Sequence, residues 1–216
     1  MKILITAGPT REYIDAVRYL SNASTGRMGY ALAEAARAAG HQVTLVHGPT
    51  QQEPPQAYKT IAVTSALEMF QAVGDEFPSC DALIACAAVS DYRPRERLSG
   101  KLKREAAREL TLELVQNPDI VQEMAARRSP RQVLIGFALE AESAEDHARD
   151  KLQRKRLDAI VLNAPATIGS DETTITIFRA DGRREGPLTE PKSAAARRIV
   201  ALAEVLLKHL RSLPPE

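Results

Sequence analysis

The chain has 216 residues, 44% apolar and 4% aromatic, with no tryptophan; that is length enough for one sizeable core and too few rings for a base-stacking platform on single-stranded nucleic acid. Its 29 Lys plus Arg balance 28 Asp plus Glu, and neither a signal peptide nor an apolar run of membrane-spanning length is visible, so no nucleic acid and no membrane is expected as a partner. The two cysteines, Cys80 and Cys86, build neither a disulfide framework nor a C-x-x-C metal site and fit a reducing, cytoplasmic setting.

Apolar runs of strand length alternate with helical patterns, as in stacked βαβ units. Ile3–Ala7 is a strand that runs into Gly8-Pro9-Thr10. A helix follows from about Met28 to Ala39, with Met28, Leu32, Ala35, Ala36 and Ala39 at helical spacing and Gly40 as its stop. Val43–Val46 and Thr60–Val63 read as the next strands, and Ser65-x-x-Glu68 is a capping box for a helix to about Glu76. Ala82–Ala87 is an unbroken apolar run, as expected of a strand covered on both faces. Asn117-Pro118 supplies a cap and a proline at the first helical position, for a helix through about Arg127. Val133–Ala138 is another buried strand, Ser143-x-x-Asp146 opens a charged helix to about Arg156, and Ala159–Leu162 is a strand again. The pattern then changes, because Thr173–Arg179 alternates β-branched residues ahead of an Asp181-Gly182 turn, the signal of a hairpin over 173–188. Lys192 to about Arg211 is the closing helix, with Ala195, Ile199, Leu202, Leu206 and Leu210 on one stripe. The expected fold is a single α/β domain over residues 1–216: a Rossmann-like, doubly wound, mainly parallel sheet with helices on both faces and a C-terminal β-hairpin.

Two long connections, residues 8–26 and 88–108, interrupt this order, and both follow strands. Ligands of open α/β sheets bind beyond the carboxyl ends of the strands, so both loops should meet at one crevice. In the first, the Gly8 turn and Ser24-Thr25-Gly26 at the head of the helix put backbone N–H groups where a phosphate can sit, at a spacing unlike the G-x-G-x-x-G turn. In the second, Ala87-Ala88-Val89-Ser90-Asp91 ends a strand with small residues and one carboxylate. Lys101-Leu102-Lys103-Arg104 is either a flap that closes over phosphate charge or a solvated basic loop. Asn117-Pro118-Asp119-Ile120 is a helix start that also offers free N–H groups, and Phe137 is a core residue or a platform for a base. Lys151 and Lys155, one helical turn apart, are a solvated face or a grip on ribose or phosphate. His41, His47, His147 and His209 show neither metal-ligand spacing nor a Ser/His/Asp arrangement, so no protein nucleophile is expected and no metal ligand is assigned.

Taken in order, Gly8-Pro9-Thr10-Arg11, Ile14-Asp15, Val17-Arg18-Tyr19-Leu20-Ser21-Asn22-x-Ser24-x-Gly26-x-Met28-Gly29, Ala87-Ala88-Val89-Ser90-Asp91-Tyr92, Lys101-Leu102-Lys103, Asn117-Pro118-Asp119-Ile120-Val121, Gly136-Phe137-Ala138 and Lys151-x-x-x-Lys155-x-x-Asp158 resemble phosphopantothenoylcysteine synthetase. That family is the phosphopantothenate-cysteine ligase of coenzyme A synthesis. The resemblance implies that the carboxylate of 4'-phosphopantothenate attacks the α-phosphate of CTP with Mg²⁺, releasing pyrophosphate, and that the amine of L-cysteine then displaces CMP from the acyl-cytidylate. It implies Lys101 as the group that stabilises charge in the first step, and Asn22 as the holder of the acyl intermediate, supported by Arg18 and the Ala87-Ala88 backbone. It implies a phosphate cradle at Gly8, Ser24, Thr25, Gly26 and Met28. The CTP pocket would comprise Asp91, Asn117, Pro118, Asp119, Ile120, Phe137, Lys151 and Lys155. Where the family usually has prolines near positions 13 and 16, this chain has Tyr13 and Ala16, and the block Gly136-Phe137-Ala138-Leu139-Glu140-Ala141 departs from Gly-Phe-Ala-Ala-Glu-Thr. The family is dimeric, and the hairpin at 173–188 is the expected dimerisation element. In many bacteria an FMN-dependent decarboxylase domain precedes this one. The resemblance therefore implies a free-standing form partnered by a separate phosphopantothenoylcysteine decarboxylase, or a chain trimmed from a longer one. Two other readings are an NAD(P)-dependent reductase and a catalytically silent nucleotide-binding module. Against the first, Val46-His47-Gly48 offers no acid for the ribose and no Tyr-x-x-x-Lys pair occurs; against the second, binding alone does not need both Asn22 and Lys101.

Overall fold

The computed structural model of the protein describes residues 1–102, 110–139, 144–164 and 169–214. From the N-terminus, β1 (Lys2–Ala7) leads into a hairpin of β2 (Arg11–Tyr13) and β3 (Tyr19–Ser21), followed by α1 (Arg27–Ala38), β4 (Gln42–His47), β5 (Lys59–Ala62) and α2 (Ala66–Glu76). β6 (Ala82–Ala85) precedes a second ribbon, β7 (Tyr92–Pro94) with β8 (Leu114–Gln116), and then come α3 (Ile120–Arg127), β9 (Val133–Leu139), α4 (Ala144–Arg154) and β10 (Ala159–Asn163). The hairpin β11 (Glu172–Arg179) and β12 (Arg184–Pro191), with α5 (Lys192–Ser212), ends the chain.

The main sheet has the order β12-β11-β10-β9-β6-β1-β4-β5. The strands from β5 to β10 pair in parallel, while β11 and β12 run antiparallel at one edge. Counting only the parallel strands in chain order, the sequence across the sheet from β5 is 3-2-1-4-5-6, the doubly wound arrangement, whose switch point lies between β1 and β6. The period of two in β1 explains why it sits at the centre: Ile3, Ile5 and Ala7 face the layer of α1 and α5, while Leu4 faces the layer of α2, α3 and α4. Both layers are apolar throughout, with Leu32, Ala36, Ile199 and Ala203 on one side and Met69, Val73, Met124 and Leu152 on the other. Gly29 lets α1 lie directly on β1, since a Cβ there would stand 2.4 Å from the Ala7 Cβ.

Local expectations are met at one cap and corrected at other places. The capping box of α2 forms, with the Ser65 side chain accepting from the Glu68 N–H at 3.2 Å. The cap of α3 is Asp119 rather than Asn117, and Pro118 lies outside the helix. Asn117 has other commitments: its Nδ2 donates to the Ser90 carbonyl at 2.8 Å and its Oδ1 accepts from Arg93 at 3.1 Å. β6 ends at Ala85, two residues short of Ala87, because the Ala87 N–H is taken by the Thr6 side chain, and only an isolated parallel bridge between Pro9 and Ala88 continues the register beyond it. α4 stops at Arg154, since Arg156 has φ 49 and left-handed backbone cannot continue a helix. The connections 8–26 and 88–108 are not plain loops, for they hold β2, β3 and β7. Lys103, Arg104, Glu140, Ala141 and Ser143 lie outside the described residues.

Candidate active site

The site forms where the ends of β1 and β6 meet. Thr6 Oγ1 accepts from the Ala87 N–H at 3.1 Å, the Gly8 carbonyl from the Ala88 N–H at 2.9 Å, and Thr10 Oγ1 from the Ser90 N–H at 3.0 Å. Asn22 closes the same knot from the β2–β3 hairpin, donating its Nδ2 to the carbonyls of Ala88 at 3.1 Å and Val89 at 3.2 Å. The backbone from Ala87 to Ser90 is thus fixed from several directions, which is what a preorganised binding edge requires.

A crevice of two adjoining lobes opens beside this knot. The larger, about 450 Å³, is bounded by Asn22 through Gly29, by Cys86 through Val89, and by Asp91, Phe137 and Lys151. The smaller, about 180 Å³, is bounded by Ser90, by Gln116 through Val121, and by Lys151 and Lys155, and it shares Ala87, Val89, Asp91, Phe137 and Lys151 with the first. The sequence-identified residues Ser24, Thr25, Gly26, Met28, Ala87, Ala88, Asp91, Asn117, Pro118, Asp119, Ile120, Phe137, Lys151 and Lys155 therefore come together with Asn22 on one crevice. Gly8 is a support beneath it, since its carbonyl holds Ala88. Arg18 and Lys101 line neither lobe. Arg18 is instead paired with Asp15 at 2.8 Å and donates to the Leu102 carbonyl at 3.0 Å, beside Lys101.

Local geometry suits an anion. Gly26 occupies the N-cap of α1 at φ 77 and supplies no capping side chain, and the first turn of α1 carries no acid. Its leading N–H groups thus face the larger lobe without an internal partner. A side chain at Gly26 would be strained by its φ and would place a Cβ 2.7 Å from Thr50 Cγ2. Arg27, Lys151 and Lys192 bring positive charge to this lobe, against the carboxylate of Asp91. Lys192 is held on the Ser170 carbonyl and, at 3.0 Å, on that of Glu172; burial, with the nearby Arg27 charge, lowers its pKa. Lys151 reaches the Phe137 carbonyl at 2.9 Å. In the smaller lobe Lys155 pairs with Asp119 at 2.6 Å. Burial opposes ionisation of Asp119, but hydrogen bonds from Lys155 and the Gln122 N–H, with the charges of Lys155 and Lys151, outweigh it and hold its pKa below the ordinary value. Burial pushes the Cys86 thiol up to about 12, so it is not a nucleophile at neutral pH. Asp158, although part of the sequence resemblance, lies before β10 and accepts from the Leu134 N–H at 2.7 Å and Arg128 at 2.9 Å, a structural role at the other end of the sheet.

Sequence reasoning did not find Arg27, Cys86, Asn163, Gly169 or Lys192 as lining residues. Asn163 ends a parallel strand, so the rule on carboxyl ends could have found it. Lys192 opens the last helix and reaches the crevice only through tertiary folding.

The sequence matches the DNA/pantothenate metabolism flavoprotein C-terminal domain over residues 1–206. It is 45% identical over 200 residues to the coenzyme A biosynthesis bifunctional protein CoaBC of Vibrio cholerae, an alignment that covers 90% of this chain and 50% of that protein. The chain thus spans about half the length of such relatives. The fold superposes on a crystal structure of the C-terminal domain of a CoaBC protein with a TM-score of 0.81 at 38% identity, covering 96% of each chain. It also superposes on the DNA/pantothenate metabolism flavoprotein from Streptococcus pneumoniae with a TM-score of 0.81 at 25% identity, covering 95% of this chain and 99% of that one. The crevice is therefore the carboxyl-edge site of a doubly wound domain, and the chain belongs to the DNA/pantothenate metabolism flavoprotein C-terminal domain family.

Proposed function

We propose that this chain is a phosphopantothenate-cysteine ligase, joining 4'-phosphopantothenate and L-cysteine in coenzyme A biosynthesis through an acyl-cytidylate formed from CTP. The observation that carries this reading is the two-lobed crevice, which gathers an uncapped helix N-terminus, the cations Arg27, Lys151, Lys155 and Lys192, and Asn22 around one fixed stretch of backbone. The smaller lobe, with the start of α3, Phe137 and the Lys155–Asp119 pair, suits the nucleoside; the larger, with Ser24 through Met28 at the head of α1, suits the phosphates and the acyl group. Acyl-nucleotide chemistry asks for orientation and charge neutralisation and needs no protein nucleophile. That demand agrees with a Cys86 thiol whose pKa is pushed up to about 12. In this scheme Lys101 closes on the α-phosphate in the first step, and Asn22 orients the mixed anhydride for the amine of cysteine in the second.

Among the described residues no group of three or more His, Cys, Asp or Glu could hold a metal by itself. Mg²⁺ characteristically binds through substrate phosphates and one or two carboxylates, and Asp91, common to both lobes, fits that demand. Bound there with CTP, the ion would neutralise phosphate charge. The working form proposed is a homodimer, with its product passed to a phosphopantothenoylcysteine decarboxylase.

Incubation with CTP, Mg²⁺ and 4'-phosphopantothenate should release pyrophosphate before any cysteine is present, and CMP only after cysteine is added. A panel of nucleotides read out as CMP or AMP decides the base. No pyrophosphate from any nucleotide would sink the ligase reading.

A further inference from the structure

We propose that Asp15 is a positioning residue for the Lys101 flap: its carboxylate, with Arg18 as an arm, clasps the flap root at Leu102 and so sets where Lys101 is presented. The inference rests on the ligase reading for the role of Lys101, but the clasp itself is geometric. Asp15 is fully buried and its carboxylate is saturated. Oδ1 accepts from the N–H groups of Val17 and Arg18, both at 2.7 Å, while Oδ2 accepts from Arg18 Nη1 at 2.8 Å and from the Leu102 N–H at 2.9 Å. Arg18 Nη1 also donates to the Leu102 carbonyl at 3.0 Å, so both backbone groups of Leu102 are held. At the other end of this segment the Leu98 N–H donates to the Ile14 carbonyl at 2.9 Å. Residues 98 to 102 are thus pinned at both ends on the turn that joins β2 to β3.

The division between the two carboxylate oxygens gives the inference its content. Oδ1 organises the local turn, which any Asx-type turn needs; Oδ2 reaches across 87 positions of sequence to the flap. Hydrogen bonds from Leu102, Arg18 and Val17 hold the carboxyl down to about 2, so both oxygens accept at neutral pH. The hairpin then joins two parts of the proposed reaction, with Asn22 at the cavity just past β3 and the clasp at its tip. Arg18, which lines neither lobe, acts in this arrangement through Leu102.

Asp15→Asn tests the clasp, because an amide has one accepting oxygen and cannot serve the turn and the flap together. Hydrogen exchange read by mass spectrometry should speed up in the peptide containing residues 98–102, with β1 unchanged; unaltered exchange there overturns the clasp whatever the protein catalyses. Pyrophosphate formation should fall roughly ten- to hundredfold. A double-mutant cycle with Lys101→Gln separates positioning from general damage: the double variant should be no slower than Lys101→Gln alone, and losses that multiply would overturn the positioning role. Should Asp15→Asn fail to fold, Leu102→Pro removes the flap-side donor while leaving Asp15 and its turn intact, and the same exchange and cycle results are expected. Wild-type protein that forms no pyrophosphate with any nucleotide would defeat the ligase reading and leave the exchange result to decide the clasp.

Discussion

Asn22 donates twice from one nitrogen, to Ala88 at 3.1 Å and Val89 at 3.2 Å, and its side chain borders the larger lobe. Replacing the amide by a carboxylate removes the donor and sets negative charge against two carbonyl oxygens and against any anionic ligand. Asn22→Asp is expected to form the acyl-cytidylate and to fail in passing it to cysteine. Rapid-quench analysis with labelled CTP should show roughly one pyrophosphate per site, followed by turnover slowed on the order of a hundredfold. Normal turnover by this variant would remove Asn22 from the second step.

At the scale of one element, α3 couples helix capping to the crevice. Asp119 caps the helix by accepting from the Gln122 N–H at 3.1 Å and pairs with Lys155, a buried cation. Asp119→Ala loses a cap worth about 1 kcal/mol and strands Lys155, so unfolding free energy should drop by about 2 kcal/mol at neutral pH. The sign with pH follows from the lowered pKa of Asp119: its contribution is complete above the unfolded value of about 3.9 and is lost as pH falls below it. Wild-type and variant stabilities should therefore converge in acid, and a gap that persists below that range would refute the assignment. The same helix shows what the sequence conveyed. Its existence and the Ser65 capping box of α2 were legible from local spacing, as were the apolar strands, because burial on both faces leaves continuous hydrophobic runs. The choice between Asn117 and Asp119 as cap was not, since it turned on Ser90 and Arg93, distant in sequence. The ribbons β2–β3 and β7–β8 escaped for another reason: each strand is three residues long, and β2 buries Glu12, whose carboxylate accepts from the Ala66 N–H at 2.9 Å. Most of the crevice was legible because its residues cluster at the ends of strands, whereas Lys192 arrives from the far end of the chain.

For the whole molecule the inner strands of the main sheet are covered on both faces, but the two ribbons are not. Val17, Tyr19, Tyr92, Leu98, Leu112 and Leu114 are exposed large apolar residues on or beside them. Tyr92 pairs with Gln116 and Pro94 with Leu114, so Tyr92, Pro94 and Leu114 share one face of a two-stranded sheet. A two-stranded ribbon is marginal alone in water, and contiguous exposed apolar surface is the usual place for protein contacts. The hairpin at 173–188, expected from the sequence to be the dimerisation element, has a different surface: β12 carries Glu185 and Glu190 paired with Arg198 at 2.5 and 3.0 Å, and Arg184 paired with Glu145 at 2.6 Å. Charged edges of that sort oppose strand addition. The proposed homodimer is therefore expected to close through the ribbons. Leu112→Glu combined with Leu114→Glu should yield a monomer in sedimentation velocity, whereas Thr189→Glu on β12 should leave the dimer intact. Dissociation by Thr189→Glu, or a double variant that stays dimeric, would return the interface to the hairpin. Because β7 leads from Asp91 toward the flap, the monomeric variant should also lose first-step activity while its main sheet stays folded, which joins assembly to the crevice through one short ribbon.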